Sequence, residues 1–242
     1  MFIIKCIDKD MIYLMRLLPD YLDLGEFPRN LVPYLYEYGD FRLAVKYAIK
    51  LQTRSPILEK RLLQELESSL KSCKVETISS CNYDILHELR NSVMEYVKYV
   101  IKGRWEMLEK ILLEYKWPLA AELYAAAIGT RWPAGEKIIL RDFKVAYYYI
   151  ESVYKQRWPE FETALLKKLN NTSFKTEEGK RLKGILEDYI NYYINGRWKE
   201  VEPIINKMSN EACCCDIREA YLAKAINKTV CQIDIRKYFQ KN

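Results

Sequence analysis

Apolar positions recur with helical spacing around four of the five tryptophans of this 242-residue chain. Apolar residues stand four and five positions before each of these tryptophans, and six and seven positions after it. Side chains spaced three to four residues apart share one face of a helix. The pattern therefore predicts a helix, a short turn that ends in tryptophan, and a second helix in each segment.

The four segments form an internal repeat. Successive tryptophans are separated by 27, 26 and 40 residues, and spacings of this order are typical of arrays of helical repeats. We therefore predict an all-α fold, an α-solenoid-like array of short helical hairpins with an atypical helical N-terminal cap. The predicted domains are a cap or small helical domain at 1–92, the hairpin repeats at 93–208, and C-terminal capping helices at 209–242.

Each predicted turn carries the same charged residues. An arginine directly precedes the tryptophan and a glutamate follows it four residues later, which gives four structural triplets: Arg104, Trp105 and Glu109; Arg131, Trp132 and Glu136; Arg157, Trp158 and Glu162; Arg197, Trp198 and Glu202. We predict that the arginine and glutamate form ion pairs, either within one hairpin or between hairpins, and that the tryptophan rings are buried at the hairpin tips. A packing element is needed in every repeat, whereas a catalytic site is needed only once, so this regularity favours a structural role.

Glycine, proline and tyrosine add detail to the turns. Gly103 and Gly196 stand where a helix ends in a left-handed residue, and Pro133 and Pro159 stand at the first position of the next helix. Nine residues before the four tryptophans stand three tyrosines and one leucine: Tyr96, Leu123, Tyr149 and Tyr189.

The pattern is interrupted once and weakens towards the N-terminus. The 40-residue gap contains a polar stretch, 170–176, which we predict to be a loop with Thr176 capping a longer helix. Upstream, residues 38–41 resemble a degenerate turn with Phe41 in place of tryptophan, and Ser55-Pro56 opens a leucine-rich helix.

The repeats resemble a known helical repeat. Residues 98–106 read Lys-Tyr-Val-Ile-Lys-Gly-Arg-Trp-Glu, and related strings stand at 131–136 and 157–162. Over residues 93–206 they are similar to a tandem repeat (Tyr-rich helix, Ile-Lys-Gly-Arg-Trp-Pro-Glu turn, second helix) seen in uncharacterised proteins of large tailed bacteriophages and mobile elements. The sequence departs from it at Thr130 and Gln156, where glycine is expected. The resemblance implies a viral or mobile-element origin and a helical array, and no site residues.

The charge pattern and the cysteine content bear on the surface of the protein and on its cellular compartment. The net charge of +6 is mild, although residues 41–74 carry a balance of +5, a weak basic face or an ordinary solvated helix surface. No run of 18 apolar residues occurs, so we predict no membrane association. Seven cysteines, three of them consecutive at Cys213–Cys215, are best interpreted as free thiols in a reducing, cytoplasmic compartment, that of the host if the protein is viral.

Candidate chemistry is weak. The single histidine, His87, excludes a multi-histidine metal site, and no Gly-rich phosphate loop is present. Consecutive cysteines on a helix point about 100° apart, so Cys213–Cys215 cannot all ligate one ion. We therefore expect no enzymatic activity, no metal and no cofactor.

Tyrosine is the residue type that best suits a binding surface. The chain has 20 tyrosines, and the run at 147–149 spans more of a helix circumference than an apolar face covers. At least one ring of this run must point away from the core of its own hairpin, where it either packs against the next unit or is exposed for a partner. Tyr147, Tyr148 and Tyr192 are therefore the candidate partner-binding residues. A protein partner is our first hypothesis, and stacking on single-stranded RNA or DNA is the alternative. Lysine and arginine interleaved with the tyrosines would favour nucleic acid, and a mixed or acidic face would favour protein.

Overall fold

The computed structural model describes residues 29–72, 83–211 and 221–222. Within these ranges it contains eleven α-helices and no strand, which confirms the all-α prediction. The chain divides into two compact units, residues 1–129 and 130–242, so the division falls inside the span 93–208 that we predicted as one block. No helix of the described ranges is both long and apolar enough to cross a membrane.

The N-terminal unit holds six helices in two rows. Their bounds are α1 Val32–Tyr38, α2 Phe41–Leu51, α3 Pro56–Ser72, α4 Tyr83–Tyr96, α5 Glu106–Tyr115 and α6 Pro118–Ile128. The odd-numbered helices contact one another in chain order, α1 with α3 and α3 with α5, and so do α2 with α4 and α4 with α6. Each short helix therefore buries its apolar face against the helix two places along, which supplies the stability that a helix of this length lacks alone.

The C-terminal unit repeats this arrangement. Its helices are α7 Pro133–Ile139, α8 Phe143–Tyr149, α9 Pro159–Asn170, α10 Glu177–Tyr193 and α11 Glu202–Glu211. Helix α8 packs on α10, and α9 packs on α11. The core of both units is formed by the inward-facing aliphatic side chains together with aromatic rings, of which Trp132, Trp158, Tyr124 and Tyr149 are among the largest that are fully buried.

The loop in the long gap lies where the sequence predicts it. Helix α9 ends at Asn170, and the side chain of Thr176 accepts a hydrogen bond from the Gly179 amide at the start of α10. Helices α9 and α10 have 12 and 17 residues, and together with the loop 171–176 they account for most of the 40-residue spacing. Gly179 allows a close approach of this loop, because a Cβ atom there would lie 2.1 Å from the carbonyl oxygen of Ser173.

In three of the four turns the left-handed residue stands three positions before the tryptophan, one position earlier than the predicted Gly103. Lys102, Gly129 and Lys155 have φ angles of 56°, 69° and 54°, whereas Gly103 is not left-handed. Only at Gly196, with φ of 104°, is the predicted position correct. This shift explains why Thr130 and Gln156 can replace glycine. They align with Gly103, where an added Cβ meets no atom within 4 Å.

A π-helical turn adjusts the spacing of tyrosine and tryptophan. Tyr96 and Tyr149 stand nine residues before the next tryptophan, and each is followed by a π-helical segment, Val97–Ile101 and Ile150–Tyr154. In the repeat between them the tyrosine is Tyr124, eight residues before Trp132, and α6 stays α-helical to Ile128. The π turn thus accommodates one additional residue, and Leu123 at position nine was the wrong equivalent.

We expect Gly129→Ala to lower the free energy of unfolding by about 1 kcal/mol, because alanine is strained in the left-handed region. Urea unfolding followed by circular dichroism measures this change. Gly103→Ala is the matched control, and we expect it to have little effect, since its Cβ is accommodated and its backbone is not left-handed. Equal losses in the two variants would contradict the assigned position of the left-handed residue.

Candidate functional site: the turn clusters and the exposed tyrosines

Each turn is built around a tryptophan that begins a helix without capping it. Trp105, Trp132, Trp158 and Trp198 occupy N-cap positions with no side-chain hydrogen bond to the helix, because an indole has no acceptor. Their rings are 4%, 1%, 0% and 3% exposed, which confirms the predicted burial. The first turn of each following helix therefore needs polar partners from elsewhere.

The arginine and glutamate of each turn form a two-pronged ion pair within the same turn. In the pair Arg157–Glu162 both the Nε and the Nη2 atoms of the guanidinium lie 2.7 Å from carboxylate oxygens. The same geometry recurs at Arg104–Glu109, Arg131–Glu136 and Arg197–Glu202. The planar guanidinium matches the carboxylate, so each pair holds the two ends of the turn in one geometry.

A tyrosine from the next repeat joins this pair to the tryptophan backbone. The Trp105 amide donates to the Tyr124 hydroxyl over 2.8 Å, and that hydroxyl donates to Glu109 over 2.7 Å. Tyr189 makes the same two bonds to Trp158 and Glu162, and Tyr221 makes them to Trp198 and Glu202. Tyr149 donates to Glu136 over 2.9 Å. We call each set of arginine, N-cap residue, glutamate and bridging tyrosine a turn cluster.

A fifth turn cluster lies where the sequence analysis missed it. Arg54 forms the two-pronged pair with Glu59, and the Tyr96 hydroxyl accepts from the Ser55 amide and donates to Glu59. Serine stands here in place of tryptophan, and its hydroxyl accepts a hydrogen bond from the Leu58 amide. The common string Arg-x-Pro-x-x-Glu, shared with the turn at 131–136, was the available signal. The repeat was defined by its tryptophan, which this turn lacks, so the turn was not predicted.

The turn that we predicted around Phe41 does exist, but it is not a turn cluster. Helix α1 ends at Tyr38, and Asp40 caps α2 by accepting a hydrogen bond from the Leu43 amide. Phe41 packs under the guanidinium of Arg61, whose Cζ lies 4.1 Å from the ring centroid.

Three of the five bridging tyrosines also pack on the tryptophan that follows them in the chain. Ring centroids are 5.8 Å apart for Tyr96 and Trp105, 5.3 Å for Tyr149 and Trp158, and 5.9 Å for Tyr189 and Trp198. One side chain thus contacts two successive turns, with its hydroxyl on the earlier and its ring on the later. Edge-on aromatic pairs at such distances add to the stability gained from burial.

The electrostatics of the turn clusters suit a structural role. Burial is the largest cause that raises the pKa of Tyr96, Tyr124, Tyr149 and Tyr189, and their glutamate partners raise it further. These hydroxyls are therefore protonated at neutral pH and cannot serve as bases. The arginines are paired in all five turn clusters, so neither charge of a pair is left to bind a small anion or cation.

The three candidate surface tyrosines differ in exposure. Tyr192 is 72% and Tyr148 is 41% exposed, as the analysis of the tyrosine run predicts for at least one ring. Tyr147 is only 6% exposed and packs edge-on against Tyr193, with ring centroids 6.5 Å apart. Because Tyr193 on α10 covers the ring, Tyr147 packs within this unit, and its prediction as a partner-binding residue was wrong.

Other candidate chemistry falls outside the structure. Cys213–Cys215 and the other four cysteines, as well as the side chain of His87, lie outside the described residues. Among the residues that the structure does describe, no group of three or more His, Cys, Asp or Glu side chains could hold a metal ion.

No protein-family model, curated protein sequence or solved structure matches the chain.

We expect Tyr124→Phe to lower the free energy of unfolding by about 1–3 kcal/mol, because it leaves the buried Trp105 amide without its acceptor. Chemical denaturation measures the loss. Tyr148→Phe, at an exposed ring, is the control and should change stability by less than about 0.5 kcal/mol. A Tyr124→Phe variant as stable as the control would show that the bridging hydroxyl contributes nothing.

The acid stability of the chain should depend on Glu202. The hydrogen bond from Arg197 is the main cause that lowers the pKa of Glu202 from 4.5 to about 2. A depressed pKa in the folded state stabilises the fold above the unfolded pKa, and this contribution is lost as the pH falls from about 4.5 to 2. Denaturation midpoints at a series of pH values should therefore fall less steeply over this window for Glu202→Gln. Parallel pH profiles of variant and parent would contradict this assignment.

Proposed function

We propose that this chain is a non-enzymatic protein-binding module whose hairpins stack as an α-solenoid-like array. Within each compact unit, contacts between helices two places apart support this arrangement: α1 with α3, α2 with α4, α3 with α5, α4 with α6, α8 with α10 and α9 with α11. Repeats that touch only their neighbours give extended surfaces, and such surfaces commonly bind other macromolecules. The resemblance of residues 93–206 to a bacteriophage and mobile-element repeat supports a viral accessory protein that acts on a host cytosolic factor.

The observation that carries a binding role is the contrast between buried and exposed tyrosines. The recurrent tyrosines are buried and form the hydrogen bonds of the turn clusters, whereas Tyr148 and Tyr192 belong to no turn cluster and are exposed. Large rigid aromatic side chains lose little conformational entropy on binding and are enriched among the residues that dominate protein interfaces. The two rings lie on helices that pack against each other, α8 and α10.

The surroundings of these rings favour protein over nucleic acid. Burial is the main cause that raises the pKa of Tyr147, and the exposed acids Glu151 and Asp188 raise it further. Both carboxylates therefore lie close to the place where α8 packs on α10. Carboxylates at this place repel a phosphate backbone. In the basic stretch 41–74, Arg54 is paired with Glu59 and Lys71 with Glu67, so part of that charge is neutralised within the chain.

We expect the purified chain to retain a protein from a nuclease-treated lysate of its source cells, and the double variant Tyr148→Ala/Tyr192→Ala to lose it. Quantitative mass spectrometry of the bound fraction measures both results. Tyr99→Ala is the matched control, since Tyr99 is 42% exposed in the other compact unit, and it should retain the protein.

The alternative, an RNA- or DNA-binding repeat, predicts different results. Retention would then disappear on nuclease treatment. A labelled single strand would also bind with sub-micromolar affinity, and that affinity would fall about a thousandfold between 50 and 200 mM salt because counterions are released. Either result would replace the protein-binding proposal.

A further inference from the structure

Helices α8 and α10 form a firmly held pair. The Tyr147 and Tyr193 rings meet at an interplanar angle of 80°, and near the start of α8 an Arg181 nitrogen lies 3.5 Å from the Asp142 carboxylate. Tyr149 on α8 and Tyr189 on α10 each belong to a turn cluster. The surface between the helices is therefore preorganised, which reduces the entropy cost of binding.

Charge is uneven along this pair of helices, although one lysine reaches an exposed ring, because the Lys144 amine lies 5.7 Å from the Tyr148 ring centroid. The cationic residues Lys144, Lys180, Arg181 and Lys183 all stand in the first parts of the two helices. The later segments, 147–154 and 187–193, contain three carboxylates, seven tyrosines and no lysine or arginine. Glu187 is paired with Lys183 at 3.2 Å, whereas Glu151 and Asp188 are exposed acids.

The exposed rings and the exposed acids are neighbours on each helix. Tyr148 and Glu151 are three residues apart, and Asp188 and Tyr192 are four apart, spacings that place side chains side by side on a helix. Glu151 also accepts a hydrogen bond from Tyr147 and is close enough to raise the pKa of Tyr193, so it lies near the junction of the two helices. We call Tyr148, Glu151, Asp188 and Tyr192 the acidic tyrosine surface.

We propose that the acidic tyrosine surface binds arginine side chains of a basic segment in the partner protein, an inference that rests on the protein-binding function proposed above. A guanidinium stacks on a tyrosine face while its N–H groups pair with a carboxylate. Each of the two helices presents a tyrosine and a carboxylate. At Tyr148 a partner's arginine would replace the Lys144 amine that lies over the ring, whereas Tyr192 is 72% exposed. Arginine fits better than lysine, because its planar group can stack and form two parallel hydrogen bonds. The chain already contains this contact, since the Arg131 guanidinium lies 4.3 Å from the Tyr154 ring centroid while it is paired with Glu136.

The direct test is fluorescence anisotropy of the full chain with labelled short peptides. The probe is an alanine- and leucine-based peptide with several spaced arginines. Companion probes carry lysine or the uncharged arginine analogue citrulline at the same positions, and a labelled single-stranded RNA serves as the nucleic-acid probe. We expect the arginine peptide to bind best, the lysine peptide more weakly, and the citrulline peptide and the RNA least.

Variants of the surface locate the binding. We expect Glu151→Gln/Asp188→Asn to weaken the arginine peptide about tenfold, and Tyr192→Ala to weaken it about threefold to fivefold, as expected for an exposed cation–π contact. The matched controls are Glu160→Gln/Glu200→Gln, two exposed acids of the same compact unit, and Tyr99→Ala. Both controls should bind like the parent, and circular dichroism with thermal melting establishes that every variant is folded.

Several results would overturn the inference. These are no preference for arginine over citrulline, equal losses in the surface and control variants, or tighter binding of the RNA. If the peptides fail while nuclease-resistant protein capture still depends on Tyr148 and Tyr192, the arginine inference is wrong and the protein-binding function stands. If capture itself is lost on nuclease treatment, the protein-binding function fails as well.

Discussion

The structure depends on how a helix begins at a tryptophan. An N-cap residue normally supplies a side-chain oxygen to the first turn, and in a capping box a glutamate three residues later reaches back to the N-cap amide. Here the glutamate stands one residue later and is held by arginine. A tyrosine hydroxyl joins it to the amide, as Tyr124 does between Trp105 and Glu109. The capping group of each turn thus belongs to the next repeat, so a single hairpin cannot satisfy its own polar groups.

This dependence links helix initiation to the stacking of repeats. Tyr189 caps the turn at Trp158 through its hydroxyl and packs its ring on Trp198. Loss of this one side chain would therefore weaken two successive turns. The buried carboxylates Glu109 and Glu162 are tolerated because arginine and tyrosine satisfy them together. The same residues that recur most regularly are therefore occupied within the fold. Binding must use side chains that differ between repeats, and Tyr148, Glu151, Asp188 and Tyr192 are of this kind.

The tyrosine bridge also explains which irregularities the repeat accepts. The distance from tyrosine to tryptophan along the chain is eight residues for Tyr124 and nine for Tyr96, Tyr149 and Tyr189, yet every hydroxyl must reach the earlier turn. A π-helical turn at Val97–Ile101 and again at Ile150–Tyr154 absorbs the additional residue inside the helix. In the last repeat, residues 194–197 between α10 and Trp198 are non-helical and absorb it instead. The loop 171–176 and the 17-residue helix α10 also lengthen this repeat, and Tyr189 still bonds to Trp158 and Glu162.

Local periodicity, capping and the size of the indole ring are enough to predict four features from the sequence: the class of fold, the hairpin turns, the burial of the tryptophans and the loop before Thr176. The sequence also identified Arg and Glu as a recurrent pair. The partner of that pair depends on the tertiary structure, since the bridging tyrosine stands 13 to 37 residues after the glutamate to which it donates and its spacing varies with the π turns. The turn at Arg54 was not predicted for the same reason. Its hydrogen bonds define it, and Ser55 stands there in place of tryptophan. The exposure of Tyr192 and the burial of Tyr147 likewise depend on how α8 packs on α10, a contact between helices that helical periodicity alone does not specify.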